Sequence, residues 1–143
     1  MIILDTTVLS YAVGSDHPLR EPCRRILRAH AEGLLQAATT IEVVQEFVHV
    51  RARRRSRSDA AYLARQYGLA LPLEMTQVED LETGLAIYER HQELGAFDSI
   101  LAATAIRLGA EALVSGDQAF GVLANLHWIN PALPTQVERL IGP

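Results

Sequence analysis

The chain opens Met1-Ile2-Ile3-Leu4-Asp5-Thr6-Thr7, and the reading of this stretch decides the fold. A short apolar run reads as a buried strand. It stops at a carboxylate followed by two small hydroxyl residues. In open α/β sheets, ligands collect at the carboxyl ends of the strands, which is where Asp5 would stand.

Working outward, strand and helix patterns alternate. Thr6 to Val13 reads as a short helix or turn ended by Gly14 and Ser15. Pro18 opens a helix to about Ala31, with Gly33 as its stop. Leu34 to Ala37 is expected to be a short strand. Thr39-x-x-Glu42 has the form of a capping box, starting a helix to about Arg54. On that helix Ile41, Val43, Val44, Phe47, Val48 and Val50 share one arc, with Glu46 at its border and Glu42 further out. A carboxylate at such a border either points into a cleft or is simply solvated.

Ser58 is expected to cap a helix to Tyr67, ended by Gly68. Leu69 to Leu73 reads as a strand, with Pro72 marking its end or a sheet edge. Thr76-x-x-Glu79 is a second capping-box pattern, and its helix carries Val78, Leu81, Leu85 and Tyr88 at core spacing. Phe97 to Ile106 is apolar nearly all round, as in a buried helix, with Asp98 at its N-terminus. Ala112 to Ser115 and His127 to Ile129 read as strands, and Pro134 to Leu140 as a terminal helix. Alternating strands and helices predict an α/β fold, a parallel sheet with helices on both faces. A length of 143 residues, without a repeat or linker, predicts one domain spanning residues 1–143.

Composition narrows the chemistry. The net charge is −4, which argues against gripping nucleic acid by bulk charge. No apolar run approaches the roughly 20 residues of a membrane span. The N-terminus lacks the basic segment of a signal peptide. The single cysteine, Cys23, permits no internal disulfide, and a cytoplasmic location is expected. Cys23 shares helical spacing with Leu19, Ile26, Leu27 and His30, as a core residue would. All 13 basic residues are Arg. Without Lys, P-loop and Schiff-base chemistry are excluded.

Asp5 and Asp117 each follow a predicted strand, so a parallel sheet brings both to one edge. Asp98 starts a helix and Glu46 borders a core face. Four carboxylates from distant segments thus have a route to one cleft. Clustered carboxylates repel and must take up protons or a cation. An all-oxygen set favours a hard ion, Mg²⁺ or Mn²⁺, which polarises a phosphoryl oxygen and acidifies water. Thr7 and Ser115 are expected to hydrogen-bond the carboxylates or water. Each acid also has an ordinary explanation. Asp98 suits a helix cap, Asp117 a Ser-Gly-Asp turn, and Asp5 the cap of the helix that follows it. Arg51, Arg53, Arg54 and Arg55 form a basic run, suited either to a helix C-terminus or to RNA phosphates. Glu46-x-x-His49 has di-iron spacing but no second copy.

These segments together resemble the PIN-domain family of ribonucleases, and within it the VapC toxins. The resemblance rests on Ile3-Leu4-Asp5-Thr6-Thr7-Val8-Leu9, Gln45-Glu46-Phe47, Asp98 to Ala105, and Leu113-Val114-Ser115-Gly116-Asp117-Gln118-Ala119-Phe120. It covers essentially the whole chain, in order. It implies a three-layer α/β/α fold with an acidic pocket at the carboxyl edge of its parallel sheet. It implies Asp5, Glu46, Asp98 and Asp117 as metal-binding catalytic acids, with Glu46 preferred over Glu42. The implied cofactor is Mg²⁺, with Mn²⁺ substituting. The implied reaction is endonucleolytic cleavage of RNA to 5′-phosphate and 3′-hydroxyl ends. It further implies a homodimer and a cognate antitoxin protein that occupies the pocket. The chain departs from the family at Gly116, where a basic residue is common.

Two other classes fit less well. Phosphotransfer domains with Asp5 as acceptor need a Lys beside the phosphoryl group. A non-catalytic PIN-like module that binds RNA or protein need not retain four acids.

Overall fold

A computed structural model describes residues 1–142. Its elements are β1 (Ile2–Leu4), α1 (Thr6–Ala12), α2 (Arg20–Ala31), β2 (Ala37–Thr40), α3 (Ile41–Ala52), α4 (Arg57–Ala70) and β3 (Leu73–Glu74). They continue as α5 (Val78–Arg90), α6 (Ala96–Arg107), β4 (Ala112–Val114), a 3-10 turn (Gln118–Val122), β5 (Trp128–Ile129) and α7 (Pro134–Ile141).

The strands form one parallel sheet in the order β3-β2-β1-β4-β5. The central strands β1 and β4 are wholly buried, which is why they read as unbroken apolar runs. The chain fills one side of β1 with β2 and β3, then crosses to the other for β4 and β5. Right-handed crossovers therefore put α1 to α4 on one face and α5 with α6 on the other. Contacts follow this division: α1 packs on α2 and α3, α3 on α4, and α5 on α6. The result is the expected three-layer α/β/α arrangement. Among the described residues, no helix is long and apolar enough to cross a membrane. Cys23 is fully buried, and burial pushes its thiol up to about 12.

Several boundaries differ from the sequence reading. The second strand is Ala37–Thr40, not Leu34 to Ala37. Gly33, at φ 75°, closes α2 with a turn in which the Leu34 N–H donates to the Ala29 carbonyl. Leu34 is left 62% exposed. The Thr39 hydroxyl donates across the sheet to the Leu4 carbonyl at 2.8 Å, and Thr40 instead caps α3 by accepting from the Val43 N–H at 3.2 Å. Ser56, rather than Ser58, caps α4. That helix runs through Gly68 to Ala70 where a strand was expected, because exposed Gly68 adopts helical geometry without steric demand. Pro72 does precede an edge strand, Leu73–Glu74.

The largest correction concerns α5. Its capping box is Gln77 with Asp80, one residue beyond the expected pair. Its buried positions are Asp80 and Gly84, whereas Val78, Leu81, Leu85 and Tyr88 are exposed. Asp80 is held by Arg107, whose Nε and Nη2 donate at 2.8 and 2.9 Å, and by the Thr104 hydroxyl at 3.1 Å. Gly84 lets α5 lie directly on α6: a Cβ there would stand 2.8 Å from both the Cα and Cγ1 of Ile100.

A methyl group at Gly84 must push α6 away. Gly84→Ala is expected to destabilise the protein by about 1–3 kcal/mol, seen as a Tm drop of roughly 3–10 °C. Gly68→Ala, on an exposed helix face, is expected to raise or hold Tm, since it relieves about 0.5–1 kcal/mol of glycine penalty. Equal losses from both variants would show that the α5–α6 contact is looser than described.

Candidate active site

Asp5 follows directly on β1, and its backbone N–H donates to the Val114 carbonyl of β4 at 3.0 Å. The register pairs Leu4 with Val114, so Asp5 and Ser115 emerge side by side. Asp5 is the N-cap residue of α1, yet its carboxylate makes no capping hydrogen bond. It accepts instead from the Ser115 hydroxyl at 2.6 Å and the Thr7 hydroxyl at 3.1 Å. The ordinary helix-cap explanation of Asp5 therefore fails.

The same hydroxyls shape the loop that carries Asp117. Ser115 Oγ accepts from the Asp117 N–H at 3.0 Å, and Thr7 Oγ1 accepts from the Gly116 N–H at 2.8 Å. Both therefore take the positions expected of them beside the carboxylates. Gly116 lies close against Thr7 and Leu19, where a Cβ would meet Leu19 Cδ1 at 3.2 Å. Asp117 is exposed and accepts from the Ala119 N–H at 2.9 Å, so its turn role is real. That bond uses one carboxylate oxygen and leaves the other free.

Glu46 reaches the site from α3, where the Thr6 hydroxyl donates to its Oε2 at 2.8 Å. Asp98 lies in the first turn of α6, whose N-cap is Gly95, so Asp98 is not the cap. A carboxylate in that turn is favoured by the helix dipole. All four acids line one cleft of 320 Å³. Glu42 is exposed and lines an adjoining apolar groove instead.

The field in the cleft is negative. Burial, then the charges of Asp5, Asp117 and Glu46, push the Asp98 carboxyl up to about 7. Burial also raises Asp5, opposed by hydrogen bonds from Ser115, the Thr6 backbone and Thr7. No Arg is bonded to any of the four acids among the described residues. Oxygen donors with uncompensated negative charge fit a hard divalent cation. Among the described residues no three acidic, His or Cys groups are already drawn into a closed ligand set. The four acids border an open cleft.

The Arg run divides. Arg51 bonds Asp59 at 2.7 Å and the Val13 carbonyl at 3.1 Å, so its charge is committed to packing α4 and the end of α1. Arg53 meets His49 Nε2 at 2.9 Å, and Arg55 donates to the Arg54 carbonyl at 3.3 Å. Arg54 alone of the four lines the acidic cleft. Cleft residues to which the sequence assigns no site role are Ser10, Tyr11, Gly14, Ser15, His17 and Val50. Thr7, Ser10, Tyr11 and Gly14 recur at helical spacing opposite the buried Val8, Leu9 and Ala12. That periodicity was the available signal.

Residues 2–126 match the family model of the PIN domain. The chain belongs to the PIN-domain family. It is 48% identical to Ribonuclease VapC7 of Mycobacterium tuberculosis, with 98% of each chain covered. It is 36% identical to Ribonuclease VapC23 of the same species, over 82% of this chain and 93% of that one. Among solved structures it is similar to VapBC2 from Rickettsia felis bound to a promoter DNA fragment, with TM-score 0.73 and 18% identity. That match covers 91% of this chain and 98% of the other. It also resembles Mycobacterium tuberculosis VapC20, a sarcin-ricin loop cleaving toxin, with TM-score 0.71 and 15% identity, covering 88% and 98% of the two chains. At those identities the structural likeness establishes the fold of this PIN domain.

The electrostatics of this PIN domain have a measurable consequence. The native state holds the Asp98 proton up to about pH 7, whereas an unfolded Asp releases it near 3.9. Proton binding thus favours the fold below pH 4, and that contribution is lost as pH rises through 7. In EDTA, Asp98→Asn is expected to be more stable than wild type at pH 8 by on the order of 1 kcal/mol, allowing for partial exposure. The difference should vanish near pH 4. Thermal melts across this range check it, and a variant less stable at pH 8 would refute the repulsion.

Proposed function

We propose that this protein is a metal-dependent endoribonuclease of the VapC type, the toxin of a toxin–antitoxin pair. The observation that carries the reading is the convergence of Asp5, Glu46, Asp98 and Asp117, from four separate elements, on one cleft at the carboxyl edge of the sheet. The naming of its mycobacterial relatives as ribonucleases supports RNA as the substrate.

A bound Mg²⁺ or Mn²⁺ supplies Lewis-acid polarisation of a phosphoryl oxygen and a lowered pKa for the attacking water. The chain's own residues prepare the place. Ser115 and Thr7 fix the Asp5 carboxylate by donating to it, which favours its ionised form. Thr6 orients Glu46. Asp98 makes no side-chain hydrogen bond among the described residues, so it is free to turn toward the ion or the water. Asp117 keeps one carboxylate oxygen uncommitted. With water as nucleophile and the 3′-oxygen as leaving group, as the family resemblance implies, cleavage leaves 5′-phosphate and 3′-hydroxyl ends.

A cognate antitoxin is the proposed partner, which the likeness to VapBC2 supports, and this cleft is proposed as the place it covers. The exposed apolar residues Val78, Leu81 and Phe97 beside it suit a protein partner or a second copy in a homodimer. A cytoplasmic setting is proposed as well, since it suits an RNA substrate.

Purified protein with Mn²⁺ or Mg²⁺ is expected to cut RNA, and EDTA to stop it. Asp5→Asn, Glu46→Gln and Asp98→Asn should each lower the rate by roughly 10²–10⁴-fold, while Glu42→Gln should leave it within a few-fold of wild type. End-labelling should find 5′-phosphates. Cyclic phosphate ends, or cleavage indifferent to EDTA, would refute the mechanism.

A further inference from the structure

The cleft has a second half that the acids do not use. Two stripes run away from the carboxylates. On α1, Thr7 is followed one turn later by Ser10 and Tyr11, a rise of about 6 Å from Thr7 to Tyr11. On α3 and the turn after it, Glu46 is followed by Val50 and Arg54, again at intervals of four. All of these residues line the cleft. Each stripe starts at the acidic centre and ends in a different chemistry, aromatic on one side and cationic on the other.

The aromatic end is built. Tyr11 stacks on His17, with ring centroids 4.4 Å apart and planes 26° from parallel. The chain reaches this geometry through a tight turn at Gly14, where a Cβ would stand 3.0 Å from the Ser10 carbonyl. The Leu19 N–H donates to His17 Nδ1 at 3.1 Å. This fixes the ring and leaves the proton of the neutral imidazole on Nε2. Tyr11 is half-buried and His17 exposed, and the Tyr11 hydroxyl has no hydrogen-bond partner among the described residues. Opposite, the Arg54 guanidinium also has none. Ser10 Oγ is shielded from solvent yet unpartnered. A flat ring surface one helical turn from Thr7 and an unpaired guanidinium two turns from Glu46 match the parts of a nucleotide. Rings offer a face for a base, and Arg54 offers donors for a phosphate.

On the ribonuclease reading above, we infer that Tyr11 and His17 form a stacking platform for a nucleobase next to the scissile phosphate, with Arg54 holding the adjoining phosphate of single-stranded RNA. The acids would then perform the cut, while this platform positions the strand and biases which base flanks the cut. The occupant is single-stranded because bases in a duplex offer no free ring face.

The test uses the intact protein with Mn²⁺ and a single-stranded RNA that wild type cleaves, beside the same RNA with an abasic nucleotide at each position flanking the cut. His17→Ala and Tyr11→Leu are expected to raise KM about tenfold or more, with kcat changed by no more than a few-fold. They should also shift the distribution of bases at the cut, whereas Tyr11→Phe should behave as wild type. One abasic position should weaken wild type by a similar factor and cost the Tyr11→Leu and His17→Ala variants nothing further, the signature of a shared contact. Arg54→Gln should raise KM on both RNAs alike. Folded variants with wild-type KM and cut pattern would overturn the platform and leave the nuclease intact. So would variants that keep their RNA kinetics and lose only inhibition by the antitoxin, which would make the platform a protein contact. A wild-type protein that neither binds nor cleaves RNA would overturn the nuclease reading first, and the platform with it.

Discussion

The hydrogen bond from Ser115 to Asp5 ties together the two strands on which the site depends. Strands β1 and β4 lie side by side although over a hundred residues separate them. Between them the strand order reverses, because β2 and β3 fill one side of β1 and the chain then crosses over. Loops leaving the carboxyl ends of strands at such a point diverge and open a crevice. Leu4 pairs with Val114, so the next residues, Asp5 and Ser115, stand level. A slip of one residue would turn every buried side chain of β1 to the opposite face. The apolar core of the sheet and the position of the first acid are therefore set by the same register.

Two buried aspartates show how this fold separates structure from chemistry. Asp80 is 1% exposed and Asp5 is 3% exposed. Asp80 is answered by the guanidinium of Arg107, which joins α5 to α6 and leaves no net charge. Asp5 is answered by the hydroxyls of Thr7 and Ser115. A hydroxyl stabilises a carboxylate without cancelling its charge, so the negative potential persists and is felt at Asp98. An Arg in the same place would keep Asp5 ionised and also repel any cation. The destabilisation from clustered acids is the usual consequence of a site organised for binding rather than for the stability of the empty protein.

The acids and the sheet were legible in the sequence because both are written in local patterns. Apolar runs that end in a carboxylate, at Leu4-Asp5 and near Val114-Asp117, report a buried strand and its exit together. Helix starts were less legible by one or two residues. Thr39 and Thr40, Ser56 and Ser58, and Thr76 and Gln77 are neighbouring groups each able to cap a helix. Tertiary contacts decide between them, as when Thr39 is drawn to the Leu4 carbonyl. The sorting of the Arg run was not legible at all. Arg51 and Arg54 stand in the same basic run, yet Asp59 engages one of them, while among the described residues the guanidinium of the other has no partner. Pairing of that kind is a property of three dimensions.

The misreading of α5 has a different source. Its apolar spacing is genuine, but the spacing tells only that a helix has an apolar face, not which molecule covers it. The inner face is dictated by distance: at Gly84 the helices approach until no side chain fits, and Asp80 is buried there only because Arg107 reaches it. The outer face is free to be apolar, and it is, with Val78 80% and nearby Phe97 77% exposed beside the groove that borders Asp98. Apolar side chains gathered in that way suit the protein contact proposed for this face. A helix whose small and charge-paired residues face its own core is left with its aliphatic and aromatic residues facing outward.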